Sequence, residues 1–462
     1  MIIAVFIATM LIGIGIGLPI AMALLLCAVC TALAMGGGDA NPTIIARTLM
    51  QGSDSVTMMA LPFFVLAGEI MNRGGLTKRI IAFCDVFLGR IRGGLGYVTI
   101  FACLMFAALV GSAVAACAAL GAILIPMMVR SGYNREESSA LVASANLVAP
   151  IMPPSVPMIV YGVSAGVSIK SMFMAGIAPA VYLTIIACVV WFLRTRKEGV
   201  VPSVEDFKAP TPKEAVRIFL GGLWALLLPV IILVGLHSGK FTATEAGVIA
   251  CVYAILVGLL VYREMKLKDL GPVFVSAAKT SAVVMFLAAA ANVAAYYMTV
   301  SRIPQLLTAG LEGLVDSPTL LMIVLMLIVV VVGLAMDVTP SILILTPIML
   351  PLVKAAGISP VYFGVCFVLM NVLGLTSPPV GPVLNVACAA GNVKMDKIIP
   401  PTMPYFLTPD GPVLPAGYFP AAGRGASEVV RRLIGRFFLS NSHVSRCAAS
   451  PSGMVQTGMD VT

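Results

Sequence analysis

Charged side chains are scarce. Asp, Glu, Lys and Arg together make up 11% of the 462 residues, against roughly 25% in a soluble domain. The shortage runs along almost the whole chain and leaves no room for a separate soluble domain. Histidine occurs only at His237 and His443, which argues against a histidine-built metal site or a Ser-His-Asp triad, and no enzymatic activity is expected. The one Gly-Lys dipeptide, Gly239-Lys240, is followed by Phe241, so the phosphate-cradling loop of ATP-driven machines is missing. Ten cysteines are present, nine of them within or beside apolar segments; that placement suits small packing residues rather than a disulfide framework.

What remains is hydrophobic: 60% of the residues. A bilayer core about 30 Å thick needs about 20 apolar residues per helical crossing. Met174–Leu193 supplies 20 without a charge, and Pro318–Met336 supplies 19. The segment Ile2–Met35 opens without Lys or Arg and exceeds a signal-peptide core in length, despite a cleavage-like Ala32-Leu33-Ala34. It is expected to be retained as a tilted or glycine-softened transmembrane helix.

The formal net charge of +9 sits in short loops between apolar runs, a distribution that orients a membrane protein rather than binding nucleic acid. Basic clusters follow Val56–Asn72 (Arg73, Lys78, Arg79, Arg90, Arg92), Leu95–Val129 (Arg130, Arg135), Met174–Leu193 (Arg194, Arg196, Lys197) and Ala246–Tyr262 (Arg263, Lys266, Lys268). If all face the cytoplasm, Leu95–Val129 must cross an even number of times. Two arms on either side of Gly111-Ser112, about 24 Å each at a helical rise, make a re-entrant hairpin, or else two thin spans. Pro318–Val353 breaks the same way around Asp337–Pro340 and would enter from the opposite side. One hairpin from each face is the pattern of an inverted repeat.

The residues support a repeat. Shifting Ser112–Gly162 by 225 positions onto Asp337–Ala387 needs no gap and matches eight of 51 positions. Among them are Pro126/Pro351, Gly132/Gly357, Asn146/Asn371, Pro153/Pro378, Pro154/Pro379 and Pro157/Pro382. Repeat one is placed at about 56–193 and repeat two at about 272–406. Each half thus sets a small or polar break before a helix interrupted by Pro-Pro. Proline lacks an N–H and clashes with the preceding turn, so backbone carbonyls are freed at membrane depth. Such groups are tolerable only inside protein or facing a polar cavity. Freed carbonyls are hard oxygen ligands, and half-helix N-termini attract anions. The expectation is an all-α polytopic membrane protein with a central site for a cation and an anion.

The motifs Leu61-Pro-Phe-Phe-Val-Leu-Ala-Gly-Glu-Ile70, Gly111-Ser-Ala-Val-Ala115, Ile125-Pro-Met-Met128 with Gly132-Tyr133, Pro153-Pro-Ser155, Phe173-Met-Ala-Gly-Ile-Ala-Pro179, Thr244-Glu-Ala-Gly247 and Pro378-Pro-Val-Gly381 together carry a resemblance. The chain resembles, from about residue 1 to 406, the large permease subunit of tripartite ATP-independent periplasmic (TRAP) transporters. That resemblance implies an elevator mechanism in the bacterial inner membrane, Na⁺ as coupling ion and a small organic anion, C4-dicarboxylate or sugar acid, as substrate. It also implies two partners, a periplasmic substrate-binding protein and a small four-helix membrane subunit. A stand-alone sodium-coupled symporter or antiporter of the same superfamily is the alternative.

On this footing Gly111, Ser112, Asn146, Pro153, Pro154 and Ser155 are expected to line one sodium site. Asp337, Thr339, Asn371, Thr376, Ser377, Pro378 and Pro379 are expected to line its counterpart, and Ser155, Gly381 and Asn385 to meet the substrate. Glu69, in an otherwise uncharged span, is a coupling candidate, since an intramembrane carboxylate is a functional candidate by default; pairing with Arg73 is the plainer reading. The C-terminus breaks the pattern. A crossing equivalent to Met174–Leu193 should fall near residues 399–418, but Pro400, Pro401, Pro404, Pro409, Asp410, Pro412 and Pro415 stand there. Residues 407–462 are expected to be a disordered tail or one translated out of frame.

Overall fold

The computed structural model describes residues 2–35, 41–54, 58–196, 212–302, 317–377, 381–405, 407–408 and 411–412. Its architecture is helical apart from a two-residue strand pair, Leu407–Thr408 with Gly411–Pro412. Six described helices are long and apolar enough to cross a membrane: Ala113–Arg130, Ile169–Thr195, Val216–His237, Ala243–Tyr262, Leu267–Val300 and Val338–Ala355.

The N-terminal run does not form one tilted helix. It folds as α1 (Ile2–Gly15) and α2 (Ile20–Ala34), which pack on each other. Between them Gly17 adopts φ 79° and Pro19 has no N–H to continue a ladder. Two helices also occupy stretches read as loops. One is α3 (Pro42–Ser53), capped by Asn41, whose side chain accepts from Thr43 N at 2.9 Å. After α4 (Ala60–Arg73), Gly75 at φ 79° turns the chain into the other, α5 (Leu76–Leu88). The cysteines among the described residues are free, including the pair at helical spacing Cys27-Ala28-Val29-Cys30 within α2.

The first hairpin forms as expected: α6 (Gly94–Val110), a break at Gly111-Ser112, then α7 (Ala113–Arg130). Next come α8 (Arg135–Ala145), a 3₁₀ turn at Asn146–Val148, the Pro-Pro break, α9 (Val156–Ala165) and α10 (Ile169–Thr195). Then follow α11 (Pro212–His237), α12 (Ala243–Leu256) with a π-helical end at Val257–Tyr262, and α13 (Leu267–Val300). The 34 residues of α13 reach about 51 Å, more than one crossing of a core about 30 Å thick needs. The second hairpin is α14 (Pro318–Gly333) and α15 (Val338–Ala355), followed by α16 (Pro360–Thr376), a break, α17 (Pro382–Gly391) and α18 (Met395–Thr402). Helix stops at Thr402 with a 3₁₀ turn at Met403–Tyr405; the out-of-frame reading concerns residues that, beyond this point, lie almost entirely outside those described.

The turns that follow α7 and α15, 225 residues apart, share a backbone pattern. The turn after α7 carries the bonds Ser131 N to Met127 O (3.1 Å), Gly132 N to Val129 O (3.1 Å) and Tyr133 N to Met128 O (3.0 Å). The turn after α15 repeats all three at shifted positions: Ala356 N to Leu352 O (3.0 Å), Gly357 N to Lys354 O (3.1 Å) and Ile358 N to Val353 O (3.0 Å). Gly132 and Gly357 both take the left-handed conformation, at φ 85° and 70°, that ends a helix this way.

Packing divides the helices into two sets. Helices α2, α3 and α4 lie along α13, with α12 on α4 and α11 on α5. The hairpins and broken helices form the second set, in which the repeats interlock: α9 of the first packs on α15 of the second, and α17 of the second on α7 of the first. The sets meet where α4 and α5 touch α6, α4 touches α9, and α13 touches α15.

Candidate functional site

Each hairpin tip is a helix start, and a helix start leaves backbone N–H groups free. At the first tip Gly111 sits at φ 66°, and a Cβ there would come within 2.9 Å of Val156 N and 3.3 Å of Ser155 Cα. Only glycine can both turn the chain this way and lie against the first Pro-Pro break. Ser112 then caps α7, its hydroxyl accepting from Ala115 N at 3.4 Å. At the second tip Asp337 caps α15, its carboxylate accepting from Val338 N at 2.8 Å, while its carbonyl accepts from Ser341 Oγ at 2.9 Å.

The first break lies beside the first tip. In the first, Ser155 is fully buried; its hydroxyl donates to Pro150 O and accepts from Met158 N at 3.4 Å, capping α9. In the second, the hydroxyls of Thr376 and Ser377 both donate to Leu373 O, at 3.2 and 2.7 Å. A Cβ on Gly381 would lie 2.8 Å from Leu375 O and 2.9 Å from Ser377 O, so carbonyl oxygens crowd this turn. Pro378 and Pro379 lie outside the described residues.

Behind the tips are the two matched asparagines, both fully buried. Asn146 donates from Nδ2 to Val142 O at 2.8 Å, but its Oδ1 has no partner. Asn371 has none for either Nδ2 or Oδ1. A buried amide left unpaired costs about 1–3 kcal/mol. Among the described residues no group of three or more His, Cys, Asp or Glu could hold a metal ion.

A cavity of about 270 Å³ joins the tips to the other helix set. Gly111, Ser112, Asp337, Thr339 and Pro150 line one side; Gly68, Glu69 and Asn72 of α4 with Thr280 and Val284 of α13 line the other. Glu69 forms no ion pair with Arg73; its carboxylate accepts from Ser276 Oγ of α13 at 3.4 Å. Of the residues singled out in the sequence, the cavity gathers Glu69, Gly111, Ser112, Asp337 and Thr339. Asn146, Ser155, Asn371 and Thr376 are buried and do not line it. Gly381 and Asn385 also lie off it, and Asn385 is exposed. Sequence reasoning passed over Asn72, three residues beyond Glu69 and so on the same helix face, and Thr280, whose only signal is its spacing of four from Ser276.

A chain of apolar helices whose two hairpin tips line one cavity has the build of a multi-pass membrane protein. Sequence comparison gives the family. The profile described as "Tripartite ATP-independent periplasmic transporter, DctM component" matches residues 5–422, and the chain belongs to that family of TRAP large permeases. It is 46% identical over 407 residues to the 2,3-diketo-L-gulonate TRAP transporter large permease protein YiaN of Escherichia coli, covering 88% of this chain and 94% of the relative. It is 36% identical to the C4-dicarboxylate TRAP transporter large permease protein DctM of Pseudomonas aeruginosa, covering 79% and 84%. The fold is also that of the crystallised YdaH transporter of Alcanivorax borkumensis, with a TM-score of 0.56 at 15% identity over 86% of this chain and 88% of that one.

Proposed function

We propose that the chain is the permease of a sodium-coupled importer for small carboxylates, working with a small four-helix membrane subunit and a periplasmic binding protein in a bacterial inner membrane. The observation that carries this reading is the cavity joining Ser112 and Asp337, the two hairpin tips, to Glu69 on α4. The likeness to YiaN over nearly its whole length favours a sugar acid over a C4-dicarboxylate as cargo. In this reading Na⁺ is held at the two tips and breaks by Ser112, Asn146, Asp337, Asn371 and the carbonyls beside Ser155 and Gly381. The N-termini of α7, α9 and α15 supply positive potential for the substrate carboxylate.

The hairpin set, α6–α10 with α14–α18, would slide as one elevator body against α1–α5 and α11–α13. The interlocked repeats support this, because neither hairpin can travel without the other's broken helix. The two repeats would stand inverted across the membrane. Glu69 would hold the fixed side of the cavity, so its carboxylate would meet the loaded tips at one end of the stroke.

The test is uptake of 2,3-diketo-L-gulonate into proteoliposomes holding the complete three-part system. Uptake is expected to require all three proteins and an inward sodium gradient. Robust uptake by this chain alone would favour the stand-alone symporter, and uptake indifferent to sodium would remove the coupling ion.

A further inference from the structure

A second cavity lies on the outside of the hairpin set, between α6 and α10. It is a groove of about 370 Å³ walled by Tyr97, Phe101 and Leu104 from α6 and by Val181, Val189 and Phe192 from α10. The two polar groups of α10 within it ask for nothing. The Thr184 hydroxyl donates to Ala180 O of its own helix at 2.8 Å, and Cys188 is a free thiol, a small hydrophobe in such a setting. No polar ligand could be recognised along this slot.

Its ends differ. From Val181 to Phe192 the helix rises about 16 Å, close to the roughly 15 Å hydrocarbon depth of one leaflet, half of a 30 Å core. At the Phe192 end the guanidinium of Arg196 lies 4.6 Å from the Phe192 ring centroid. At the same end Gly93 meets Thr195 so closely that a Cβ on Gly93 would lie 2.5 Å from Thr195 Cγ2. Arg92 and Arg196 are the sequence neighbours of these two residues. Arg194 beside them is already bound to Glu137, whereas neither Arg92 nor Arg196 has a carboxylate partner among the described residues. Both are exposed. Tyr97 stands at this end too, as an amphipathic ring does at a membrane interface.

We infer that this groove is a specific site for an anionic phospholipid, one acyl chain lying between α6 and α10 with the phosphate held by Arg92 and Arg196. A leaflet-long apolar slot ending in two unpaired guanidinium groups matches the two parts of such a lipid, and basic pockets between helices recognise its headgroup. Because α6 is the leading arm of the first hairpin, the lipid would brace that arm against α10 without entering the central cavity.

Native mass spectrometry of the full-length chain, released from nanodiscs of phosphatidylglycerol mixed with phosphatidylcholine, tests this. One phosphatidylglycerol should stay bound in preference to phosphatidylcholine. Arg92→Gln with Arg196→Gln, two exposed changes, should lower its retention roughly tenfold or more. Val189→Trp, which fills the slot from an exposed position, should displace it, and circular dichroism should show both variants still helical. Equal retention of the two lipids, or anionic retention unchanged in either variant, overturns the inference. Should the arginine variant still fold and yet keep a neutral lipid in the slot, the headgroup assignment would hold and only chain binding would remain.

Discussion

The two halves of the hairpin set share a backbone plan and differ in chemistry. At position 112 the cap is a neutral serine; at the matched position 337 it is an aspartate. Asn146 satisfies one of its two amide atoms and Asn371 neither. The first break is closed by Ser155, buried and bonded on both sides, while the second turns at Gly381 among crowded carbonyls. A duplicated frame therefore need not mean duplicated affinity. The second half holds the negative charge and the larger number of orphaned polar atoms, so it should bind the cation more tightly, and the first half should be the more rigid partner.

The sharpest way to break that comparison is to exchange the tips. Asp337→Ala is expected to raise the sodium concentration for half-maximal uptake by tenfold or more, since a charge-assisted contact is worth about 1.5–3 kcal/mol, whereas Ser112→Ala should shift it only a few-fold. Equal shifts for the two would show that the halves act alike. Next in size is Gly111→Ala. It should lower stability by at least the roughly 1–2 kcal/mol of a left-handed residue, with a further cost from the contact at Val156 N, and should cut uptake. Gly357→Ala has the same left-handed strain but open space around it, so its cost should stop near 1 kcal/mol in a thermal melt. If both melts move equally, the close seat of the tip on the break is not important.

The asparagines give a smaller and subtler contrast. Asn146→Ala breaks a buried hydrogen bond and should destabilise by about 1 kcal/mol. Asn371→Ala removes two unpaired atoms, so in sodium-free detergent it should be neutral in stability while still weakening the stabilisation that sodium confers. A destabilised, sodium-responsive Asn371→Ala would mean that its amide serves packing. The smallest effect is expected for Glu69→Gln, which keeps a hydrogen-bonding group for Ser276 and loses the charge: maximal uptake should fall a few-fold with sodium dependence nearly intact. Wild-type rates would return Glu69 to a structural role.

The breaks were legible in the sequence because Gly111-Ser112 and Asp337–Pro340 interrupt apolar runs, and because proline, glycine and asparagine recur at a fixed offset. The repeated caps at Gly132 and Gly357 answer to the same signal. Helix α5 was not legible. Lys78 and Arg79 mark a loop by composition, yet Arg79 reaches Glu264 at 3.0 Å and lies 4.0 Å from the Tyr262 ring centroid, and contacts nearly two hundred residues away do not show in local pattern. Glu69 illustrates the same gap. Arg73, one turn on, was its obvious partner, and only the fold brings Ser276 from 207 residues away. Asn385 is exposed one turn after Gly381, a placement that its sequence neighbourhood does not display.

The exchange of packing partners between the repeats has a bearing on biogenesis. When the ribosome has finished α9, the surface that helix needs belongs to α15, which will not exist for well over a hundred residues. The same holds for α7, whose neighbour α17 ends near residue 391. The first hairpin must therefore wait in the bilayer with its inner face covered by something temporary, lipid or an insertion chaperone. A chain cut short before α17 would leave α7 permanently uncovered, and quality-control proteases should recognise it by that face.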